Sequence, residues 1–306
     1  MLDILGKRYI FFLVSLVLIL PGMVVLAING LNFSIDFTGG SFLEVQFESG
    51  QLPDTEEVLR IYQQAGFEDV QVQTSGSDIL IIRSPFMEEQ TRNDLVNQMV
   101  TEFDTQINVR RFDSVGPSIG REVTAQAALA ITIAALGVIL YITFAFRGVE
   151  HAVRLGICAI AAMVHDFLVL LSITAIGGLL FNWQFDTLFL TAYLTVIGFS
   201  VQDNIVVFDR IRENKAIYRK ISFEKLANHS IVQTLGRSIN TQLMTSEFLL
   251  LSLALFGGTT LREFSILMLI GLFMGTYSSI FIAAPLLVIW ENKEWRTWFK
   301  SGETAS

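Results

Sequence analysis

The segment FSVQDNIVVFDRIREN, at residues 199–214, begins as an apolar helix and ends as a charged one. Its apolar part contains a carboxylate, Asp203. An aspartate near the centre of a membrane-spanning helix costs about 2.5–3.5 kcal/mol on insertion scales, so such residues are rare and usually have a partner or a function. The segment therefore predicts that Asp203 handles protons or other ions.

The composition of the whole chain indicates a membrane protein. Of its 306 residues, 52% are hydrophobic and only 16% are charged, against about 25% charged in a typical soluble domain. The net charge of -8 argues against nucleic-acid binding through a basic surface. The single cysteine, Cys158, cannot form an internal disulfide, and the three histidines lack metal-ligand spacing. No phosphate-binding glycine loop occurs, so we expect no ATP hydrolysis. We also expect no cofactor, no metal and no catalytic residues.

Six stretches have the roughly 20 apolar residues that a membrane-spanning helix requires. They lie at residues 9–28, 123–146, 155–181, 187–208, 231–256 and 264–290. The chain also has a long polar segment at residues 29–120. If the N-terminus lies in the cytoplasm, nearly all of the lysines and arginines outside this segment lie there too, and the short external loops hold only Arg262. We therefore predict a multi-pass membrane protein with both termini cytoplasmic. Its predicted parts are an uncleaved anchor at 1–28, five spans within 121–292, a basic cytoplasmic loop at 209–230 and a cytoplasmic tail at 293–306.

A polar segment, residues 29–120, separates the first two predicted spans. Asp and Glu outnumber Lys and Arg there by 15 to 5. Its alternating and helical patterns predict the order βαββαβ, which suits a ferredoxin-like unit. The predicted fold class is thus a membrane all-α bundle of six transmembrane helices with one external α+β domain between helices 1 and 2. A passive spacer and a domain that binds a substrate or partner are both compatible with this pattern.

Two charges inside the predicted spans have a geometric relation to each other. The fourth and fifth spans run antiparallel around a loop centred near residue 220. Asp203 and Arg237 each lie about 17 residues from that centre, and so at similar depth. Each also lies about six residues, or about 9 Å of helix rise, inside the cytoplasmic boundary. If the two helices are neighbours, the carboxylate and the guanidinium can pair.

The polar residues around this pair lie on consistent helix faces. Arg237, Asn240 and Glu247 follow a spacing of three to four residues, and Ser200 and Asn204 accompany Asp203. Such stripes must face protein or water rather than lipid. Two interpretations stay open: an ion relay in which protonation of Asp203 frees Arg237, and a static buried pair that fixes helix register.

Two further carboxylates are candidate members of such a relay. Asp166 lies in the middle of the third span, and Glu247 continues the stripe of the fifth. Each has a structural alternative as a buried hydrogen-bond acceptor. His165, beside Asp166, is interpreted as a packing residue.

Glycine and proline cluster where the polar segment meets the spans. Gly39 and Gly40 end the sequence DFTGG, while Gly116 and Pro117 precede the second span. Glycine tolerates unusual backbone dihedral angles, so these positions are candidate hinges. Ordinary turn chemistry explains them equally well.

Four ordered motifs connect the chain to a known family. DFTGG at 36–40, VGPSIGREV at 115–123, VQDNIVVFDRIREN at 201–214 and RSINT at 237–241 resemble the SecF family of bacterial protein-export membrane subunits. The resemblance spans nearly the whole chain, and it places the key aspartate of the family at Asp203 and its arginine partner at Arg237. Asp166 matches a carboxylate of the family, whereas Glu247 matches none. Gln202 and Asn204 flank Asp203 where the family commonly has asparagine and threonine.

The resemblance also implies a function and a set of partners. The chain would pair with SecD and act with the SecYEG channel, the SecA motor and YajC on unfolded secretory polypeptide. It would use a proton gradient, or a sodium gradient as in some relatives, to promote late steps of translocation. Two alternatives stay open: a half-size exporter of the resistance–nodulation–division type, and a structural scaffold subunit.

Overall fold

The structure is a computed structural model that describes residues 3–145, 147, 152–218, 220–242 and 248–294. The chain divides into two compact units. The first combines Met1–Asn32 with Ala130–Ser306, and the second is Phe33–Leu129.

Long helices make up the first unit. They are α1 (Arg8–Asn29), preceded by a 3₁₀ turn at Leu5–Lys7, α5 (Pro117–Ala145, shared with the second unit), α6 (Ala152–Phe181), α7 (Thr187–Ile217), α8 (Phe223–Gln242), α9 (Phe248–Phe256), α10 (Thr259–Ser278) and α11 (Ala284–Glu291). A π-helical turn, Ser279–Ala283, joins α10 to α11 without a break.

Five stretches of the described residues are long and apolar enough to cross a membrane. They are Leu5–Asn29, Pro117–Ala145, Val153–Phe181, Thr187–Ile217 and Leu261–Glu291. The remaining predicted span, 231–256, includes residues 243–247, which lie outside the described residues. The segment predicted as a basic cytoplasmic loop at 209–230 is largely helical, because α7 continues to Ile217 and α8 begins at Phe223. Charged side chains at 209–215 do not interrupt the helix, since lysine, arginine and glutamate are good helix formers.

The second unit contains a four-stranded antiparallel sheet, two helices that pack on it and one short helix before the first strand. Its elements are α2 (Ile35–Thr38), β1 (Gly40–Phe47), α3 (Thr55–Gln64), β2 (Gln71–Ser75), β3 (Ile79–Ser84), α4 (Glu89–Phe103) and β4 (Ile107–Val115). The strand order in the sheet is β2-β3-β1-β4. Asp54 caps α3, because its side chain accepts a hydrogen bond from the Glu56 amide.

One face of this sheet forms the core of the second unit. Alternate residues of β1 are buried, as the two-residue period of a strand requires. They pack with α3 and α4 around Tyr62, which is fully buried. The Tyr62 hydroxyl has no hydrogen-bond partner among the residues that the structure describes. Burial of the phenol raises the pKa of Tyr62 well above its usual value of about 10.

Replacing Tyr62 with phenylalanine should make the second unit resistant to alkali. The unfolded tyrosine ionises near pH 10 while the folded one stays protonated, so stability falls as pH rises through this range. Phenylalanine cannot ionise, and its ring leaves no buried hydroxyl without a partner. Hydrogen exchange of the sheet amides at neutral and alkaline pH measures the effect. Equal loss of protection at high pH in both proteins would contradict the prediction.

The glycine pair Gly39–Gly40 adopts a backbone that other residues avoid. Their φ angles are +72° and +126°. A Cβ atom on Gly39 would lie 3.0 Å from the Cα of Pro117, and one on Gly120 would lie 2.7 Å from the Gly39 nitrogen. The start of β1 therefore packs closely against the first turn of α5. Gly116, in contrast, has a negative φ and an open surrounding.

Alanine at Gly39 should destabilise the second unit by about 1–3 kcal/mol, the cost of a strained backbone conformation. Gly116→Ala is the matched control, and we expect a change within about 0.5 kcal/mol, as for an ordinary exposed substitution. Thermal unfolding of both variants in the same detergent measures the difference. Equal melting temperatures would show that Gly39 is an ordinary turn residue.

Candidate functional site

Close packing of α7 against α10 builds the candidate site. A Cβ atom on Gly271 would lie 2.4 Å from a Val196 methyl group, and one on Gly275 would lie 3.4 Å from the Cβ of Ser200. Small residues four positions apart let two helix backbones approach closely inside a membrane. This approach brings polar side chains of both helices next to α6.

Asp166 lies at the junction of α6, α7 and α10 and is fully buried. Its Oδ2 accepts hydrogen bonds from the hydroxyl of Ser200 on α7 and, at 2.7 Å, from that of Ser278 on α10. Its Oδ1 lies 3.1 Å from Nδ1 of His165. A carboxylate with three donors joins three helices through one side chain, and gain or loss of its proton changes all three contacts.

Asp203 lies less than one helical turn from Ser200 on α7 and is 7% exposed. Its Oδ2 accepts a hydrogen bond from Thr276 of α10 at 3.2 Å. The neighbouring Asn204 donates to the Ser200 carbonyl oxygen at 2.9 Å. The Asn204 Oδ1 is buried and has no hydrogen-bond partner in the described part of the chain. Such an acceptor needs a donor, a water molecule or a cation.

Among the described residues, no ion pair joins Asp203 to Arg237, so their pairing stays a prediction. Arg237 is exposed on α8. The registry of the two helices explains their separation. Asn214 donates to Ser230 at 2.8 Å and Arg210 donates to Gln233 at 2.8 Å, so the helix pair is centred near residue 222.

This registry shifts Arg237 along the membrane normal. With the centre at about 222 instead of 220, Arg237 stands about four residues, or 6 Å, closer to the loop than Asp203 does. Asn240 is also exposed on α8, while Glu247 lies outside the described residues. The structure therefore groups Asp166, Ser200, Asp203 and Asn204 and places the α8 stripe on the outer surface of the isolated chain.

Sequence reasoning missed the two hydroxyl donors from α10, Thr276 and Ser278. A signal was present, since TYSS at 276–279 interrupts an otherwise apolar span. The π-helical turn begins directly after Ser278. Single π turns inside α-helices occur frequently at functional sites.

The described residues include no group of three or more His, Cys, Asp or Glu side chains that could hold a metal ion. Cys158 is buried and is not part of a disulfide. The chemistry that these residues support is the uptake and release of a proton or a small cation by a buried carboxylate.

Two family models match the sequence. The model described as protein export membrane protein SecD/SecF, C-terminal, covers residues 95–293, and the SecD/SecF GG motif covers residues 24–51. The second match includes the Gly39–Gly40 pair.

Curated proteins and a solved structure resemble the chain over nearly its full length. The protein translocase subunit SecF of Anaerolinea thermophila is 64% identical over 99% of this chain and 98% of its own, and that of Thermobaculum terrenum is 45% identical over 99% and 98%. The crystal structure of SecDF, a translocon-associated membrane protein from Thermus thermophilus, has a TM-score of 0.79 at 30% identity. That match covers 95% of this chain and 39% of the solved one, so this chain corresponds to less than half of the SecDF protein.

Proposed function

The chain belongs to the SecF family of protein translocase subunits, and we propose that it uses an ion gradient to promote late steps of polypeptide export. The observation that carries the proposal is the pair of buried carboxylates, Asp166 and Asp203, at the contact of α6, α7 and α10. Ionisable groups at such depth are costly and mark ion pathways in membrane proteins. Because each bridges to α10, a change of protonation alters how that helix packs.

Asn204 gives independent support for ion handling. Its buried Oδ1 is one residue from Asp203 and has no partner within the described residues. A purely structural network would be expected to satisfy each buried acceptor. A water molecule or cation that arrives with the coupling ion supplies the missing contact.

A static scaffold is the second candidate function, and the Asp166 network favours it. Three hydrogen bonds to one carboxylate tie three helices together, whether or not the carboxylate ever titrates. The two functions differ in what a neutral side chain of the same size does. A scaffold keeps working with an amide at Asp203, and a proton carrier does not.

The partner is a SecD subunit. In the Thermus thermophilus protein named SecDF, the region that matches 94% of this chain occupies 38% of one longer polypeptide. We further propose that SecD covers the α8 stripe, which includes Arg237 and Asn240. These polar side chains are exposed on the isolated chain, and a polar face at membrane depth needs protein or water against it. In the assembled pair, Arg237 of this chain then lies at the contact with SecD and can complete the coupling site there.

The remaining proposals concern placement and folding. We propose an inner-membrane protein with cytoplasmic termini, six spans in total and no nucleotide site, which works with SecYEG, SecA and YajC. The proposed fold of the second unit is ferredoxin-like, because its element order βαββαβ and its antiparallel sheet order β2-β3-β1-β4 fit that fold.

Reconstitution tests the coupling. The chain and SecD are placed in vesicles with the channel and motor, and export of a secretory polypeptide is followed with a proton gradient, a sodium gradient or none. We expect one gradient to stimulate export and its collapse by an ionophore to remove the stimulation. Equal export under all three conditions would refute the proposal.

A further inference from the structure

We propose that His165 and a groove beside it form the route by which protons pass between Asp166 and the cytoplasmic side of the membrane. The inference rests on the proposed function, since it assigns an access path to a carboxylate of the same site. It changes the interpretation of His165 from a packing residue to a proton-transfer residue.

The groove lies between α1, α6 and the C-terminal helical segment and has a volume of about 590 Å³. We call it the inner groove. Its lining is almost entirely apolar, with Leu16 from α1, Ala161 from α6 and Leu286 from α11. Two polar side chains, Ser15 and His165, also line it.

The inner groove starts near helix ends that carry charges. Trp290, next to Glu291, lines it, and Arg154 pairs with Glu291 one turn before Ile157, another lining residue. Tryptophan and arginine are typical of the membrane–water interface. With the termini in the cytoplasm, as proposed, the inner groove extends from the cytoplasmic interface towards the middle of the membrane.

His165 connects the inner groove to Asp166. The side chain is 91% buried, and Nδ1 lies 3.1 Å from Oδ1 of Asp166. The other ring nitrogen, Nε2, is buried and has no partner among the described residues. A histidine that only held Asp166 in place would normally have its second nitrogen satisfied as well. An imidazole with one nitrogen on a carboxylate and the other available is suited to relay a proton.

The transfer needs no reactant other than water. Asp166 gives its proton to Nδ1 of His165. Nε2 is buried in this structure, so Nε2–H releases its proton only after a helix movement lets a water molecule of the inner groove reach it. The carboxylate becomes an anion, the imidazole stays neutral in its other tautomer, and a hydronium ion leaves. A ring flip, or the same steps in reverse, restores the starting tautomer.

The surroundings favour transfer towards the groove. Ser200 and Ser278 occupy the opposite oxygen of Asp166. The other titratable groups at the ring and the groove are the Tyr277 phenol on α10 and the Cys158 thiol on α6. The Tyr277 hydroxyl donates to the Phe11 carbonyl oxygen and accepts from Ser15. These partners leave Nε2 as the exit for the Asp166 proton.

The apolar lining gives the route a gate. Apolar cavities stay dry, and hydrophobic constrictions in channels close by losing water. A dry inner groove prevents protons from leaking through, and a helix movement that hydrates it opens the route. The gradient then drives protons only when the helices change their packing.

The test replaces His165 with Asn and, separately, with Gln in the full chain reconstituted with SecD, SecYEG and SecA. Either amide can hydrogen-bond at one imidazole nitrogen position, but neither relays a proton. We expect normal assembly and a loss of gradient-driven stimulation of about tenfold or more, in the range of a removed acid–base group. His165→Gly with added imidazole should regain stimulation with a pH profile set by the imidazole.

Two comparisons decide the outcome. Stimulation and pH profile unchanged in either amide variant, or no rescue by imidazole in an assembled His165→Gly protein, would overturn the route through His165. Asp203→Asn is measured in parallel. If that variant keeps full stimulation, the proposed function itself is wrong; if it loses stimulation while the His165 variants keep it, only the route is wrong.

Discussion

Asp203→Asn should reduce gradient-driven export to the level seen without a gradient, while assembly with SecD stays normal. Asparagine has nearly the size of aspartate and can still accept the hydrogen bond from Thr276. It cannot take up a proton or carry a negative charge. Because Asp203 is buried, the substitution changes the charge of this side chain and not its contact with solvent. Export into reconstituted vesicles, with and without an imposed gradient, measures the effect.

Asp209→Asn on the same helix is the matched control. Asp209 is 46% exposed and pairs with Arg212 at 2.7 Å. Exposed pairs of this kind contribute about 0–1 kcal/mol, so the control should export like the unchanged protein. Gradient stimulation that survives Asp203→Asn would favour the scaffold function.

Gly22→Ala should have the largest effect on the stability of the helical unit. A Cβ atom there would lie 2.0 Å from the Ser172 hydroxyl, 2.3 Å from its carbonyl oxygen and 2.4 Å from its Cα. The backbone of α6 cannot give way as a flexible side chain would, so α1 and α6 must move apart. Ser172 would then lose its hydrogen bonds to the Leu18 and Ile19 carbonyl oxygens, both 3.0 Å long.

We expect a loss of about 1–3 kcal/mol, as for an overpacked core. Gly137→Ala in α5 is the control, because nothing lies within 4 Å of the added methyl group. It should be neutral or slightly stabilising, since alanine favours helix more than glycine does. Thermal unfolding of both purified proteins in one detergent compares them. Similar melting temperatures would show that α1 and α6 are not packed as described.

Hydrophobic length and charge made several helices predictable. Apolar runs of about 20 residues predict spans directly, because lipid requires every backbone group to be satisfied inside the helix. In the second unit, the predicted order βαββαβ agrees with the observed order of β1, α3, β2, β3, α4 and β4. The segment predicted as a basic loop at 209–230 is mostly helical, since charge marks the membrane boundary but does not end a helix. Its cytoplasmic position stays a prediction.

The candidate site was predictable only in part, because it depends on contacts between distant helices. Asp166, Ser200 and Asp203 stand out as polar residues in apolar spans. The pairing of Asp203 with Arg237 assumed a helix centre two residues from the observed one, and such a shift displaces the depth-matched position by about four residues, or 6 Å. Thr276 and Ser278 reach the two carboxylates because Gly271 and Gly275 let α10 pack closely against α7. Local sequence patterns do not specify such a contact between distant helices.

The most direct test of the central claim measures proton movement across the vesicle membrane while a polypeptide is exported. A pH-sensitive dye inside the vesicles records it. Vesicles contain the chain with SecD, SecYEG and SecA under an imposed proton gradient, and Asp203→Asn and Asp209→Asn are compared. The account predicts a proton flux that accompanies export, persists in Asp209→Asn and is absent in Asp203→Asn. An equal export-linked flux in Asp203→Asn would contradict it.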